Sequence, residues 1–294
     1  MGLFDLFSKK NTPQVPVTPA NTLLEQVEVK PGIKIARAFV NDWPAIEATR
    51  LDYVEIKATP VESMKLEQSK FGHYPKIPVG FEYPMDNTGH YMYPLAQINF
   101  KEIPPLQGYP ATGLLQFYIS VHDETYGQDF TGGKGDKNFR VHYFEENELE
   151  DHRTDFSFLQ DIMTTDMSPV YKPHTLSFLL KEEYFGMGDV RYGAIGEKIV
   201  SQITDKYPEI KDDLEESLYE DFSPSGHKIG GYAYFTQSDP REYDDVLKNY
   251  IVLLQIDTDD EIMWGDSGVA NFFIHPDDLA KKDFSKVMYS WDCC

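Results

Sequence analysis

The chain has 294 residues, with 49 acidic and 27 basic side chains and a formal net charge of −22. This charge repels phosphate backbones and attracts basic proteins, so we expect no nucleic-acid ligand and a basic protein as partner. No run of about 18 apolar residues is present, which predicts no membrane-spanning helix. A hydrophobic fraction of 41% with 14% aromatic residues predicts a packed protein rather than a disordered one.

The first 21 residues differ from the rest of the chain. Pro13, Pro16 and Pro19 recur every three residues without apolar periodicity, which predicts an extended or disordered segment over residues 1–21. Its opening residues lack a signal-peptide pattern. The two cysteines, Cys293 and Cys294, are adjacent and cannot join distant parts of the chain. We therefore expect one folded body over residues 22–294 in a reducing, cytoplasmic compartment.

Short alternating apolar runs predict strands, as at residues 114–119 and 139–144. Helical spacing of isoleucine and leucine predicts two helices, over residues 195–203 and 210–218. A third, short helix is expected after His275, where proline and two acids follow. The predicted class is α+β: a β-rich, mostly antiparallel mixed sheet with a few helices and a helical insert near 190–221.

Two stretches of the chain are similar to each other. Residues 95–100 followed by 113–119 are matched by residues 253–258 followed by 268–274. This similarity predicts an internal duplication of a strand-loop-strand unit, with pseudo-repeats at about 60–150 and 222–294. The alternative is chance resemblance between short apolar strands.

Gln97 and Gln255 interrupt apolar strands at equivalent positions of these two stretches. A buried amide must be hydrogen-bonded, since an unsatisfied one costs about 1–3 kcal/mol. Each glutamine therefore either closes the backbone of a neighbouring loop or points into a pocket shared between the halves. In the second interpretation Trp264 is a stacking wall and Asp266 a polar handle, and these four residues form the predicted ligand-binding set.

Three motifs resemble catalytic or cation-binding sequences without completing them. Gly265-Asp266-Ser267-Gly268 matches the surroundings of a protease serine, but the rest of a catalytic triad is missing, so a tight turn is expected. Residues 257–261 place acids like a calcium loop but lack its glycine and final glutamate. Residues 131–137 are rich in glycine without forming a P-loop. No histidines are paired at i, i+4, and we predict no metal, no cofactor and no defined catalytic residue.

Several motifs resemble the bacterial YwqG-like proteins, a family of unknown function. Ser69-Lys70-Phe71-Gly72 and the two strands after it are similar to the first half of that family. The second half of that family is similar to this chain at residues 227–232, 237–240, 254–256, 264–268 and 289–293. The resemblance covers roughly residues 60–294 and implies a compact, intracellular, bacterial mixed α/β protein. Similar proteins occur near bacterial toxin loci, which implies an immunity-type or accessory role.

Two hypotheses for function follow. The first is a non-catalytic cytoplasmic binding protein whose acidic surface engages a basic partner. The segment Tyr207–Asp221, with seven acids and one base, is then a docking surface rather than only a solvated helix face. The alternative is an enzyme that acts on a small molecule in a cleft between the two halves. The sequence does not predict an oligomeric state.

Overall fold

A computed structural model describes residues 22–128, 138–186, 188–192 and 195–294. The predicted extended segment 1–21 and the glycine-rich loop 131–137 lie outside these ranges. The strands are β1 (Gln26–Lys30), β2 (Ile33–Ala36), β3 (Leu51–Pro60), β4 (Lys70–Phe71), β5 (Tyr93–Asn99), β6 (Leu114–Ile119), β7 (Phe139–Phe144), β8 (His174–Glu183), β9 (Lys228–Gly230), β10 (Ile251–Asp257), β11 (Val269–Ile274) and β12 (Met288–Asp292).

The described α-helices are short. They are α1 (Trp43–Glu47), α2 (Gln160–Met163), α3 (Gly196–Thr204), α4 (Lys211–Phe222) and α5 (Pro276–Ala280). Short 3₁₀-helices lie at Arg37–Asp42, Phe100–Glu102, Glu146–Leu149, Ser157–Leu159, Pro208–Ile210, Pro240–Tyr243, Leu247–Asn249 and Phe284–Lys286. Within the described ranges, no helix combines the length and the apolar character needed to cross a bilayer.

Ten strands form one sheet in the order β12-β11-β10-β9-β3-β8-β4-β5-β6-β7, and β1 pairs with β2 in a separate hairpin. The pairings in the large sheet are antiparallel. Its centre is the long ladder between β3 and β8, whose register runs from Leu51 opposite Glu183 to Pro60 opposite His174. The predicted α+β class with a mostly antiparallel sheet is confirmed.

The two ends of the sheet curl toward each other and enclose the main core. The ring centroids of Phe117 in β6 and Phe272 in β11 lie 4.7 Å apart, and those of Phe139 and Tyr289 lie 5.3 Å apart. Tilted aromatic pairs at such distances stabilise a core beyond the area that they bury. The sheet therefore approaches a closed barrel, although its two edge strands, β12 and β7, do not pair with each other.

A second core holds the predicted helical insert against the outside of the sheet. Helix α4 buries Leu214, Leu218 and Phe222, whose spacing of four residues places them on one face. They pack in a cluster with Phe39 and Phe185. Both helices of the insert lie where the apolar spacing predicts them. The short helix predicted after His275 is α5, and the His275 side chain caps it by accepting from the Asp277 N–H at 3.2 Å.

Candidate functional site

Gln97 lies in β5, is 1% exposed and closes a loop of backbone beside its strand. Its side-chain N–H groups donate to the Leu66 and Gln68 carbonyls at 2.7 and 2.9 Å. Its side-chain oxygen accepts from the Lys76 N–H at 2.8 Å and from the Gln116 amide at 2.8 Å. All of these contacts are internal, so the amide holds residues 66–76 against the sheet.

Gln255 in β10 repeats this arrangement 158 residues later in the chain. Its side-chain N–H groups donate to the Pro224 and Gly226 carbonyls at 2.9 and 2.7 Å, and its oxygen accepts from the Tyr234 N–H at 2.8 Å. Each partner lies 158 residues after its counterpart around Gln97. The two amides are thus bonded to loops of their own ends of the sheet. The internal duplication stays a prediction that these equivalent contacts support.

Trp264 begins a tight turn and Asp266 lies within it, in a different environment. Trp264 is fully buried and packs edge-on against Tyr126, with ring centroids 5.6 Å apart. The turn is closed by the Gly268 N–H, which donates to the Trp264 carbonyl at 2.8 Å, and Ser267 takes φ 61°. Asp266 and Ser267 are exposed, and the described residues place no histidine or carboxylate partner on either side chain. A ligand role for Gln97, Gln255, Trp264 and Asp266 stays a prediction.

A buried network of carboxylates and guanidinium groups joins the sheet to the helical insert. Arg241 donates to Asp239 at 2.6 Å and to Asp189 at 2.9 Å, and all three side chains are 0% exposed. Arg191 donates to Asp189 at 2.8 Å. Burial opposes ionisation, but Arg191 and Arg241 hold the pKa of Asp189 well below its usual value. With its charges paired internally, this network is a structural element.

The sequence contains a signal for this network that composition and periodicity do not reveal. Asp189-Val190-Arg191 and Asp239-Pro240-Arg241 are both Asp-x-Arg motifs. In each motif the carboxylate accepts from the backbone N–H two residues later, at 3.0 and 2.9 Å, and from the arginine side chain. Such an Asx turn aims an aspartate and an arginine at each other.

Two buried lysines, Lys70 and Lys228, stand opposite the two glutamines in the sheet. Lys70 donates to the Lys65, Leu66 and Tyr74 carbonyls at 3.0, 2.8 and 3.1 Å. Burial lowers the pKa of Lys70 to about 7. Lys228 instead donates to the Glu183 carboxylate at 2.8 Å, and burial lowers the pKa of this lysine while raising that of Glu183.

A cleft of about 430 Å³ opens between β3 and the residues around His227 and Asp259. The His227 Nδ1 accepts from the Asp257 N–H at 2.9 Å, and its Nε2 lies 3.0 Å from an Asp259 oxygen. Since Nδ1 accepts a backbone proton, the imidazole carries its own proton on Nε2 and donates it to Asp259. Neither nitrogen keeps a lone pair for a general base. Within the part of the chain that the structure describes, residues 257–261 join no group of three metal-ligating side chains.

A family model described as a domain of unknown function, DUF1963, matches residues 69–293. The chain belongs to this family. No curated protein matches it. The DUF1963 region begins one residue before β4 and contains both curled ends of the sheet together with the helical insert. Strand β3 lies outside that region and yet pairs with β8 and β9 at the centre of the sheet.

Within the DUF1963 region, helix α4 presents an acidic face to solvent. Asp212, Glu216 and Glu220 are exposed and follow one another at a spacing of four residues. None of the three forms an ion pair with another described residue. The last turn of the helix contains no basic residue, so Glu220 lies near the negative end of the helix dipole without a neutralising partner. Asp212, in the first turn, complements the positive end of the dipole, whereas Glu216 and Glu220 carry charge that the helix itself does not use.

Proposed function

We propose that this protein is a non-catalytic binding protein that engages a cationic partner protein through the acidic face of α4. In this proposal it is a cytoplasmic, bacterial, YwqG-like protein with an immunity-type or accessory role. The supporting observation is the row of unpaired carboxylates of Asp212, Glu216 and Glu220 along one exposed helix face. The formal net charge of −22 adds a long-range field that steers a basic protein toward this face.

The local energetics of α4 favour a role outside the helix for Glu216 and Glu220. Like charges at i and i+4 repel, and each of the two such pairs costs about 0.2–0.5 kcal/mol. An acid in the last turn costs about 0.3–1 kcal/mol more at the negative end of the dipole. Leu214, Leu218 and Phe222 anchor the helix by burial and allow it to carry this repulsion. A cationic partner would relieve this repulsion, so the free energy that the repulsion costs on folding would favour binding.

The alternative of an enzyme that acts in a cleft has less support. His227, the imidazole at the cleft of about 430 Å³, has both ring nitrogens engaged in internal hydrogen bonds. The buried carboxylates of Asp189 and Asp239 are bonded to arginines. A catalytic acid or base needs a proton or lone pair that substrate can reach. Electrostatic binding needs only exposed charge, and the acidic face of α4 provides it.

A capture experiment with matched charge variants tests the proposal. The triple variant Asp212→Asn/Glu216→Gln/Glu220→Gln removes three negative charges from α4. The control Glu47→Gln/Glu62→Gln/Asp260→Asn removes three negative charges from exposed acids outside α4. Immobilised proteins are exposed to a native bacterial lysate at low ionic strength, and retained proteins are quantified by mass spectrometry and eluted with salt.

We expect wild type and control to retain the same basic protein, which elutes as ionic strength rises. The α4 variant should retain about tenfold less of it, because three exposed pairs at about 0.5 kcal/mol each amount to one decade in affinity. Equal retention by the two triple variants would refute a role for α4. Elution that is indifferent to salt would refute the electrostatic character of the contact.

A further inference from the structure

Two exposed histidines meet beside a buried aspartate near one end of β6. Asp86 and His90 lie in the turn before β5, and His122 follows the end of β6. The imidazole centroids of His90 and His122 are 4.2 Å apart, with an angle of 34° between the rings. One ligand atom from each of Asp86, His90 and His122 lies within 4.8 Å of the other two. Residues far apart in sequence thus present three metal-ligating groups at one surface point.

The hydrogen bonds in the turn fix the proton on His90. Thr88 Oγ1 lies 2.7 Å from Asp86 Oδ1 and 2.8 Å from His90 Nδ1. A carboxylate only accepts, so the single hydroxyl proton goes to Asp86 and the hydroxyl oxygen accepts from Nδ1–H. His90 therefore keeps the lone pair on Nε2, on the side of the ring away from Thr88. A carboxylate that orients a histidine in this way is the usual outer partner of a metal ligand.

Asp86 is held as an anion behind the two rings. Its side chain is 3% exposed. Oδ1 accepts from the Thr88 and His90 N–H groups at 2.9 and 3.0 Å, and Oδ2 accepts from the Ser120 hydroxyl at 3.0 Å. Because all of these partners donate to it, the geometry suits an ionised carboxylate, which only accepts. The carboxylate supplies a fixed negative charge next to the imidazoles.

We propose that His90 and His122 bind a divalent transition-metal ion, with Asp86 orienting His90 through Thr88 and compensating the charge of the cation. Imidazole nitrogens suit Zn²⁺, Ni²⁺ and Cu²⁺, with bonds of about 2.0–2.1 Å. Both imidazoles lie at the surface, and the His90 side chain is 57% exposed. His90 stays bonded to Thr88, whereas His122 has no hydrogen bond to another described residue, so rotation of the His122 ring can bring one of its nitrogens to an ion on His90 Nε2. Water completes the coordination at such an open site.

Zinc titration of the full chain tests the site. The background for all samples is Cys293→Ser/Cys294→Ser, because the two terminal thiols are free and themselves bind soft metals. The variants are His122→Ala, His90→Ala and Thr88→Val, which keeps the shape of the side chain but removes the hydroxyl. The control is His275→Asn, which removes another imidazole while asparagine retains the helix cap. Competition with a chromogenic chelator gives stoichiometry and affinity, and thermal melts confirm folding.

The expected result is one zinc ion per chain in the background protein and in the His275→Asn control. Thr88→Val should weaken binding by about 10–100-fold, the range typical for loss of an outer partner. The two histidine variants should weaken it at least as much. The proposal is overturned if the background protein binds no zinc, if the histidine variants bind it as tightly, or if excess Ca²⁺ displaces it, since calcium competes for carboxylates and not for imidazoles.

Discussion

The end of the sheet formed by β4–β7 and the end formed by β9–β12 can be compared residue by residue, because an offset of 158 relates their hydrogen bonds. Gln116 and Asn271 extend the correspondence, since their side-chain amides donate to the carbonyls of Lys76 and Tyr234, which also lie 158 residues apart. Uncharged amides therefore perform the same task at both ends: they fix a loop to the outer side of the sheet.

The charged groups around these amides differ between the two ends. Lys70 is surrounded by carbonyl oxygens, whereas its counterpart Lys228 is paired with Glu183. Ser69 accepts the backbone N–H of Asn99, and at the other end His227 accepts that of Asp257. The Asp-x-Arg network also lies at the second end. The amide contacts are shared by the two ends, whereas the Lys228–Glu183 pair and the Asp-x-Arg network are charged contacts of the second end.

Loss of Arg241 should destabilise the protein more than loss of either buried glutamine or of Lys70. Arg241→Met leaves the buried carboxylates of Asp189 and Asp239 without their shared partner. Removing one member of a buried ion network typically costs about 3–5 kcal/mol, because an uncompensated charge remains inside. We expect a loss of this size in the free energy of unfolding, measured by urea denaturation.

The control for that experiment is Arg37→Met, which breaks an exposed pair with Glu25 at 2.8 Å. An exposed pair contributes about 0–1 kcal/mol, so this variant should unfold close to wild type. Adding Asp239→Asn to Arg241→Met should restore part of the lost stability by removing one stranded charge. A cost below about 1 kcal/mol for Arg241→Met would contradict the view that the network is structural.

The two glutamines test whether the shared contacts have equal weight. Gln97→Met and Gln255→Met each leave a buried backbone N–H and two carbonyls without their side-chain partner. We expect each to lower the free energy of unfolding by about 1–3 kcal/mol. Gln97→Met should cost more, because Gln97 also accepts from Gln116.

Gln160→Met serves as the control, since this exposed side chain has no hydrogen-bond partner among the described residues and its replacement should change stability by less than about 0.5 kcal/mol. The comparison fails if one glutamine variant is as stable as the control while the other is not. In that case the two glutamines would contribute differently to stability in spite of their equivalent hydrogen bonds.

Local patterns in the sequence predict the class of the fold and several of its elements, but not the central strands β3 and β8. Alternation in residues 114–119 and the four-residue spacing of Leu214 and Leu218 each report a buried face directly. The order of the ten strands was not predicted, because it depends on contacts such as that of Phe117 with Phe272, which join distant parts of the chain. The similarity around Gln97 and Gln255 indicated equivalent positions but not which backbone groups the amides bind.

The candidate sites were harder to predict for the same reason. The prediction of no metal site considers only histidine pairs at helical spacing. The proposed site instead joins His90 and His122, which lie 32 residues apart and meet through a turn and a strand end. The Asp-x-Arg motifs were present in the sequence but carry no periodicity. The exposed acidic helix face within Tyr207–Asp221 could be predicted, because charge along one helix face is a local property of the sequence.

The smallest expected effect concerns Lys70 and takes the form of a pH dependence. Burial lowers the pKa of Lys70 to about 7, below the value near 10.5 of an unfolded lysine, although the charges of Glu67 and Glu102 oppose this shift. The ammonium group donates to three carbonyl oxygens. Between these values the unfolded chain binds the extra proton, so the wild type gains stability as pH rises from 7 to 9, by up to about 2 kcal/mol.

The variant Lys70→Met should lack this increment, whereas Lys65→Met, at an exposed position, should retain it. Free energies of unfolding from urea titrations at both pH values measure the difference, and taking it against wild type cancels the groups that titrate in all three proteins. If Lys70→Met shows the wild-type pH slope, the carbonyl oxygens hold the ammonium charged in the folded protein. The two buried lysines would then be alike in charge and would differ only in their hydrogen-bond partners.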